Sequence, residues 1–135
     1  MFIVPDQTST YAEEFTRPMY TISFAPELVG FILENRKLTT YRYGTKYDYL
    51  QVGDEVAIQN AATKELVARA TIKRKTRTTF GELPVKAETH ESYKDKEHQR
   101  QVLSGYYAYI GRPLEDDDLF LVFDFELVGT LSSAS

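Results

Sequence analysis

Apolar positions along this chain follow two periods, and the switches between them predict its elements. Met19 to Phe24 (MYTISF) combines aromatic and β-branched residues and predicts a strand. Pro26 suits the first position of a helix, and Leu28, Phe31 and Ile32 recur behind it at helical spacing. That short helix is expected to end near Asn35, a residue type that tolerates a left-handed C-terminal conformation. Lys37 to Tyr43 reads as extended, since Thr39, Thr40, Tyr41 and Tyr43 are all strand formers. Gln51-Val52-Gly53-Asp54 predicts a turn into a strand over Glu55–Gln59. Asn60 to Lys64 connects it to Glu65–Thr79, one long strand or a bent pair. A second helix is expected over about Lys94 to Tyr109. Its inward stripe is Val102, Leu103, Tyr106, Tyr107 and Ile110, and Gly111 and Pro113 end it. Leu119 to Leu127 alternates leucine and phenylalanine with polar residues near its end and predicts the closing strand. Several strands with two inserted or flanking helices predict an α+β fold, a small and largely closed β-barrel rather than a βαβ sandwich.

The two ends lack such a pattern. Residues 1–18 contain Asp6-Gln7-Thr8-Ser9-Thr10 and read as an N-terminal arm, and residues 129–135 read as a tail. The span 19–128 is then one domain, as expected of a chain of 135 residues. Sixteen Lys and Arg against twenty Asp and Glu leave a net charge of −4. This argues against a protein that coats DNA by neutralising phosphates. The sign is unevenly spread: residues 30–86 hold eleven basic and six acidic side chains, and residues 87–135 hold four and ten. A local basic cleft is therefore compatible with the acidic total. The absence of cysteine excludes disulfides, a thiolate nucleophile and Cys-based metal sites. His90 and His98 are the only histidines, and His90-Glu91 lacks a second histidine at the spacing of a helical zinc site. Glu115-Asp116-Asp117-Asp118 lacks the glycine of a calcium loop and reads as a solvated turn. No metal and no cofactor are expected. The most apolar stretch, Leu119 to Val128, is interrupted by Asp124 and Glu126, so no membrane span is expected. Without a visible secretory signal, a cytoplasmic location is the expectation.

The most informative string is Asn35-Arg36-Lys37-Leu38-Thr39-Thr40-Tyr41-Arg42, which follows the first helix and precedes Val52-Gly53-Asp54. With His90-Glu91 downstream and Tyr106-Tyr107 at the end of the second helix, it resembles the ASCH domain family, a branch of the PUA-like barrels. The resemblance spans about Met19 to Val128. It implies a cleft beside the string that binds RNA or a nucleotide. One branch of that family is an amidohydrolase that removes the acetyl group of N4-acetylcytidine, and another member is a ribonuclease. In the amidohydrolase branch the functional residues correspond to Lys37, Thr40 and Glu91 of this chain, with Glu88 as a competitor for the carboxylate. The arm and the Tyr43–Leu50 insertion set this chain apart from the compact amidohydrolase. The implied partner is RNA or a modified nucleoside. A non-catalytic RNA-binding module is the alternative, and a ribonuclease is less favoured.

The residue types permit that chemistry. Thr40 and Arg42 lie two apart and share a face of an extended strand. Lys37 faces the other way on a flat strand and joins them only if the chain turns near Asn35. A lysine partly desolvated beside Arg36 and Arg42 has a lowered pKa, and its neutral amine can take a proton from the Thr40 hydroxyl. Glu91 can protonate a leaving nitrogen or position water. The competing reading makes Lys37 and Arg42 solvated surface charges and Thr40 a strand former. Tyr41, Tyr43, Tyr47 and Tyr49 share odd positions. They form either a stacking platform, in which Tyr41 and Tyr43 join Arg36 and Arg42 on a ligand, or a cover for the core. Arg69, Lys73, Lys75 and Arg77 share a face if the long strand is unbroken, where they either track an RNA backbone or protect a sheet edge.

Overall fold

A computed structural model describes residues 20–130. The predicted arm, Met19 and residues 131–135 lie outside the described residues. The chain runs β1 (Tyr20–Phe24), α1 (Pro26–Leu33), β2 (Thr39–Tyr43), β3 (Glu55–Asn60), β4 (Leu66–Thr79), α2 (Lys96–Tyr106) and β5 (Leu119–Thr130). Short 3₁₀ turns follow β4 at Phe80–Glu82 and α2 at Ala108–Ile110. The strands form one sheet in the order β1-β3-β4-β5-β2, with β1 and β3 parallel and every other pair antiparallel. The sheet curls into a half-barrel, and β1 and β2 remain its two edges among the described residues.

Alternation on the strands fills the inside of the curl. Ile22 and Phe24 of β1, Val56 and Ile58 of β3, Ala68, Ala70 and Ile72 of β4, and Leu121, Phe123 and Phe125 of β5 are all buried. Val29 and Ile32 of α1 join them, so this helix caps one end of the core. Burying a side chain of this size is worth about 1.5–3 kcal/mol. A second cluster of Tyr41, Phe80, Leu83, Leu103, Leu114 and Phe120 lies under α2. Asp95 caps this helix by accepting from the His98 amide at 2.8 Å, and losing such a cap costs about 1 kcal/mol.

Several predicted boundaries move, each for a local reason. The first helix stops at Leu33, and Asn35 takes the left-handed conformation, with φ 61°. The second helix covers Lys96–Tyr106 only. Of its expected inward stripe Leu103 is buried, whereas Tyr106 is exposed. Gln99 takes an inward place instead, because its amide donates to Pro84 O at 3.0 Å and accepts from Lys96 at 2.6 Å. β5 continues past Leu127, since Gly129 and Thr130 pair with Arg69 and Ala68.

The long strand β4 is one strand whose pairing with β5 shifts register twice, between Arg69 and Ala70 and between Ile72 and Arg74. The second shift makes Lys73 an extra residue and reverses which positions face the core. Ahead of it Ala70 and Ile72 point inward; beyond it Lys75 and Arg77 pair with the buried Phe123 and Leu121 and share their face. The expected single row of Arg69, Lys73, Lys75 and Arg77 is therefore split. Arg69 and Lys73 lie 3.8 Å from Glu55 and Glu126 respectively. Lys75 and Arg77 converge on Asp48, at 3.1 and 2.7 Å.

Candidate functional site

The turn that ends α1 places the first site residue. With Asn35 left-handed, the amides of Arg36 and Lys37 both donate to Phe31 O, at 2.8 and 3.2 Å, and the chain doubles back under the helix. Lys37 then points inward and is only 3% exposed. Its Nζ donates to Thr39 O at 2.8 Å and lies 2.9 Å from Glu91 Oε2. Burial pushes its pKa down to about 8; Glu91 offsets part of that shift, and Arg42 adds to it.

Glu91 reaches Lys37 because its loop is tied to β2. The amides of Leu38 and Thr39 both donate to Thr89 O, at 2.9 and 3.1 Å. The Thr39 hydroxyl donates to Asp124 at 2.6 Å, which leaves Thr89 to donate to Thr39 Oγ1 at 2.8 Å. Glu91 Oε2 is buried, and the Lys37 ammonium 2.9 Å away is what compensates its charge.

Thr40 and Arg42 supply the other wall. Arg42 Nε donates to Thr40 Oγ1 at 2.9 Å, so the threonine oxygen is an acceptor there and its own proton is left for a ligand. Nη2 of the same guanidinium donates to Ser23 O at 2.8 Å and thereby bridges the edge strands β2 and β1. The guanidinium lies over the rings of Phe24 and Tyr47, at 4.6 and 5.3 Å. The site thus occupies the open seam of the half-barrel. It is a cleft of about 170 Å³ whose lining includes Ser23, Lys37, Thr40, Arg42, His90 and Glu91. Tyr41, Tyr106 and Tyr107 also line it, and Tyr107 donates to Tyr41 O at 3.0 Å.

Lys37, Thr40, Tyr41, Arg42 and Glu91 are thus brought together, whereas two other residues expected at a ligand are not. The Arg36 side chain is exposed, pairs with Glu34 at 3.1 Å and lies over Phe31. Tyr43 packs on Tyr107 and Phe120, with centroids at 5.7 and 5.9 Å, and belongs to the second core cluster. The tyrosine stripe does not form, because Gly44 is left-handed (φ 75°) and starts a turn that carries Tyr47 and Tyr49 off the strand. Tyr47 lies under Arg42, and Tyr49 packs edge-on to Tyr20 at 5.0 Å. Glu88 is exposed and does not line the cleft. Among the described residues no group of three His, Asp or Glu side chains could hold a metal ion.

Sequence reasoning passed over His90, weighing it only for metal. Its ring is buried and stacks on Tyr41, 3.8 Å between centroids and 13° from parallel. Burial first, then the Lys37 charge, pulls its pKa down to about 4. Between pH 6.5 and 4 the unfolded chain therefore takes up a proton that folded His90 refuses, and stability falls as the pH falls through this window. Urea denaturation at pH 7, 6, 5 and 4 is expected to show a loss that His90→Phe reduces. An unchanged acid limb in that variant would assign it to other groups. The one sequence signal for His90 was its position next to Glu91.

This curled sheet with two helices is the α+β, PUA-like fold of ASCH domains. Three solved structures that share it are a protein of Enterococcus faecalis V583 from family DUF984, an ASCH domain from Lactobacillus crispatus JV V101, and the Y47F mutant of an ASCH protein from Zymomonas mobilis. The first is 15% identical, with a TM-score of 0.68 over 93% of this chain and 91% of its own. The second is 17% identical, with 0.63 over 91% and 87%. The third is 14% identical, with 0.56 over 84% and 75%. At these identities the likeness is one of fold. No protein-family model matches the sequence, and no curated protein does. Among the described residues no helix is long and apolar enough to cross a membrane.

Proposed function

We propose that the cleft binds the base of a modified nucleoside and hydrolyses an acylated exocyclic amine, with N4-acetylcytidine as the substrate and cytidine and acetate as the products. The observation that carries this reading is the pairing of buried Lys37 with Glu91 in the same small cleft as the Thr40 hydroxyl. A cavity of about 150 Å³ accommodates one benzene ring, so the size of this cleft suits a single pyrimidine. The aromatic side chains at its rim suit a flat ligand.

The chemistry follows from what each group can do. Arg42 contacts the Thr40 hydroxyl but stays protonated, so it cannot take its proton. The base is the neutral form of Lys37, which burial makes accessible near neutral pH. Thr40 Oγ1 bonds to the acetyl carbon, its proton passes to Lys37, and the Arg42 guanidinium faces the developing oxyanion. Glu91 relays the proton across its 2.9 Å contact with Lys37 to the leaving amine as the carbon–nitrogen bond breaks. Water then cleaves the threonyl ester to acetate and restores the hydroxyl. The test is incubation of the full chain with a panel of acylated and methylated nucleosides, read by mass spectrometry. Release of cytidine from N4-acetylcytidine supports the reading, and an inert panel overturns it.

One observation favours a second reading, in which the nucleoside is held within an RNA strand. Lys73 and Arg74 at the bulge of β4 keep side chains 59% and 76% exposed, available to phosphates. In that case Lys73→Gln flattens the salt dependence of RNA affinity by about one unit. An unchanged slope leaves free nucleosides as the ligand. Lys75 is excluded from this test, because its side chain is 9% exposed and its Nζ donates to Asp48 O at 2.6 Å.

A further inference from the structure

The hydrogen-bonding capacity of the cleft is directional, and His90 sets one side of it. His90 Nδ1 lies 3.1 Å from the backbone carbonyl oxygen of Glu91. A carbonyl oxygen can only accept, so Nδ1 carries the ring hydrogen. In the neutral imidazole Nε2 then presents a lone pair. That atom lies 3.7 Å from Glu91 Oε1, beyond hydrogen-bond distance. Two acceptors thus stand side by side on this wall with no proton shared between them. The cleft's other polar groups can donate: the Lys37 amine, the Arg42 guanidinium and the Thr40 hydroxyl. Stacking on Tyr41 and the Nδ1 contact together fix the ring, so Nε2 has little freedom to turn away.

We infer that His90 is a specificity-determining residue, whose Nε2 forms with Glu91 Oε1 a paired acceptor that selects bases bearing an exocyclic N–H over bases bearing a carbonyl there. This rests on the nucleoside reading above and deepens it. An N–H placed between the two acceptors satisfies both, whereas a carbonyl oxygen at the same place faces their lone pairs. A site built to hydrogen-bond one group rejects an analogue that leaves its buried polar atoms unpaired, and this is where binding discrimination is largest. Cytidine and N4-acetylcytidine carry the N–H; uridine carries the carbonyl.

The experiment measures dissociation constants of the full chain for cytidine, uridine, N4-acetylcytidine and N4,N4-dimethylcytidine by calorimetry, with hydrolysis assayed in parallel. The wild-type protein is expected to prefer cytidine over uridine by about tenfold or more, and to bind N4-acetylcytidine well but the dimethyl compound poorly. His90→Phe keeps a ring to stack on Tyr41 and removes the acceptor, so its cytidine preference is expected to fall to about threefold or less. Should His90→Phe fail to fold, equal binding of the acetyl and dimethyl compounds by the wild-type protein still overturns the inference, because the acetyl group is the larger substituent. Equal affinity for cytidine and uridine, a preference that survives in His90→Phe, or no binding of either nucleoside would overturn the inference. Hydrolysis without discrimination overturns it and leaves the proposed function; discrimination without hydrolysis does the reverse.

Discussion

Thr40→Val is expected to abolish release of acetate from N4-acetylcytidine, while Thr40→Ser keeps a measurable fraction of it. Serine retains the hydroxyl that forms the ester; valine has nearly the shape of threonine and no oxygen. The valine variant also leaves Arg42 Nε without its acceptor, so its fold is checked by melting temperature alongside activity. Lys37→Arg is expected to fail as well, since a guanidinium stays charged and cannot serve as a base. Glu91→Gln is expected to lower turnover by about 10²–10⁴-fold with a smaller effect on affinity. The double variant of Lys37→Ala and Glu91→Gln should cost much less than the product of the single losses, because the two act on one proton. Mass spectrometry of a rapidly quenched reaction is expected to find the acetyl group on the peptide containing Thr40. Full activity in Thr40→Val would remove the threonine from the chemistry and leave water, activated by Lys37 or Glu91, as the nucleophile.

Raising the pH from about 8 to 10.5 is expected to stabilise the wild-type protein relative to Lys37→Met. Burial lowers the folded pKa of Lys37 from 10.5 to about 8. Below that value both states carry the proton, and the folded state bears the full cost of the buried charge. Between the two values the folded protein releases a proton that the unfolded chain keeps, so stability rises with pH; above 10.5 the effect is complete. A shift of this size corresponds to roughly 3 kcal/mol. Urea denaturation at pH 7, 8, 9 and 10 for both proteins measures it, and parallel curves would show that Lys37 does not titrate in this window. Tyr41, whose folded pKa burial and the charge of Glu91 push up to about 12, lowers stability from about pH 10 upward, but it does so in both proteins and cancels in the comparison. Hydrolysis should rise along the same limb, with its midpoint near pH 8. A fall in rate above that midpoint would make the charged ammonium, not the amine, the working form.

Much of the fold was legible because it rests on local pattern. Alternation in MYTISF, helical spacing behind Pro26 and the turn residues at Gly53 mark elements found within a few residues of their expected places. Asn35 was readable as a stop, and its left-handed backbone is what turns Lys37 inward. The site was legible in part for the same reason: Lys37, Thr40 and Arg42 fall within six residues, and one turn suffices to gather them. The tyrosine stripe misled because period-two spacing was extended across Gly44, where the strand ends. The basic row misled because a bulge is a property of the pairing between β4 and β5 and leaves no mark in the spacing of one strand.

The sequence by itself determined the element types, the break after α1 and the placing of a hydroxyl, an amine and a guanidinium on one short stretch, since backbone propensity and side-chain period act over a few residues. Only the tertiary structure decided that Glu91 and not Glu88 meets Lys37, that His90 lies stacked beside them, and that Arg42 spans the seam between β1 and β2. Those choices depend on Thr89 hydrogen-bonding across to Leu38 and Thr39, fifty residues away in the case of Thr39, and on the curl of the sheet that brings its two edges to one cleft. Contacts over such separations come from how the packed elements meet, and burial within that packing is what shifts an ordinary lysine and histidine away from their usual protonation and sets them beside a glutamate.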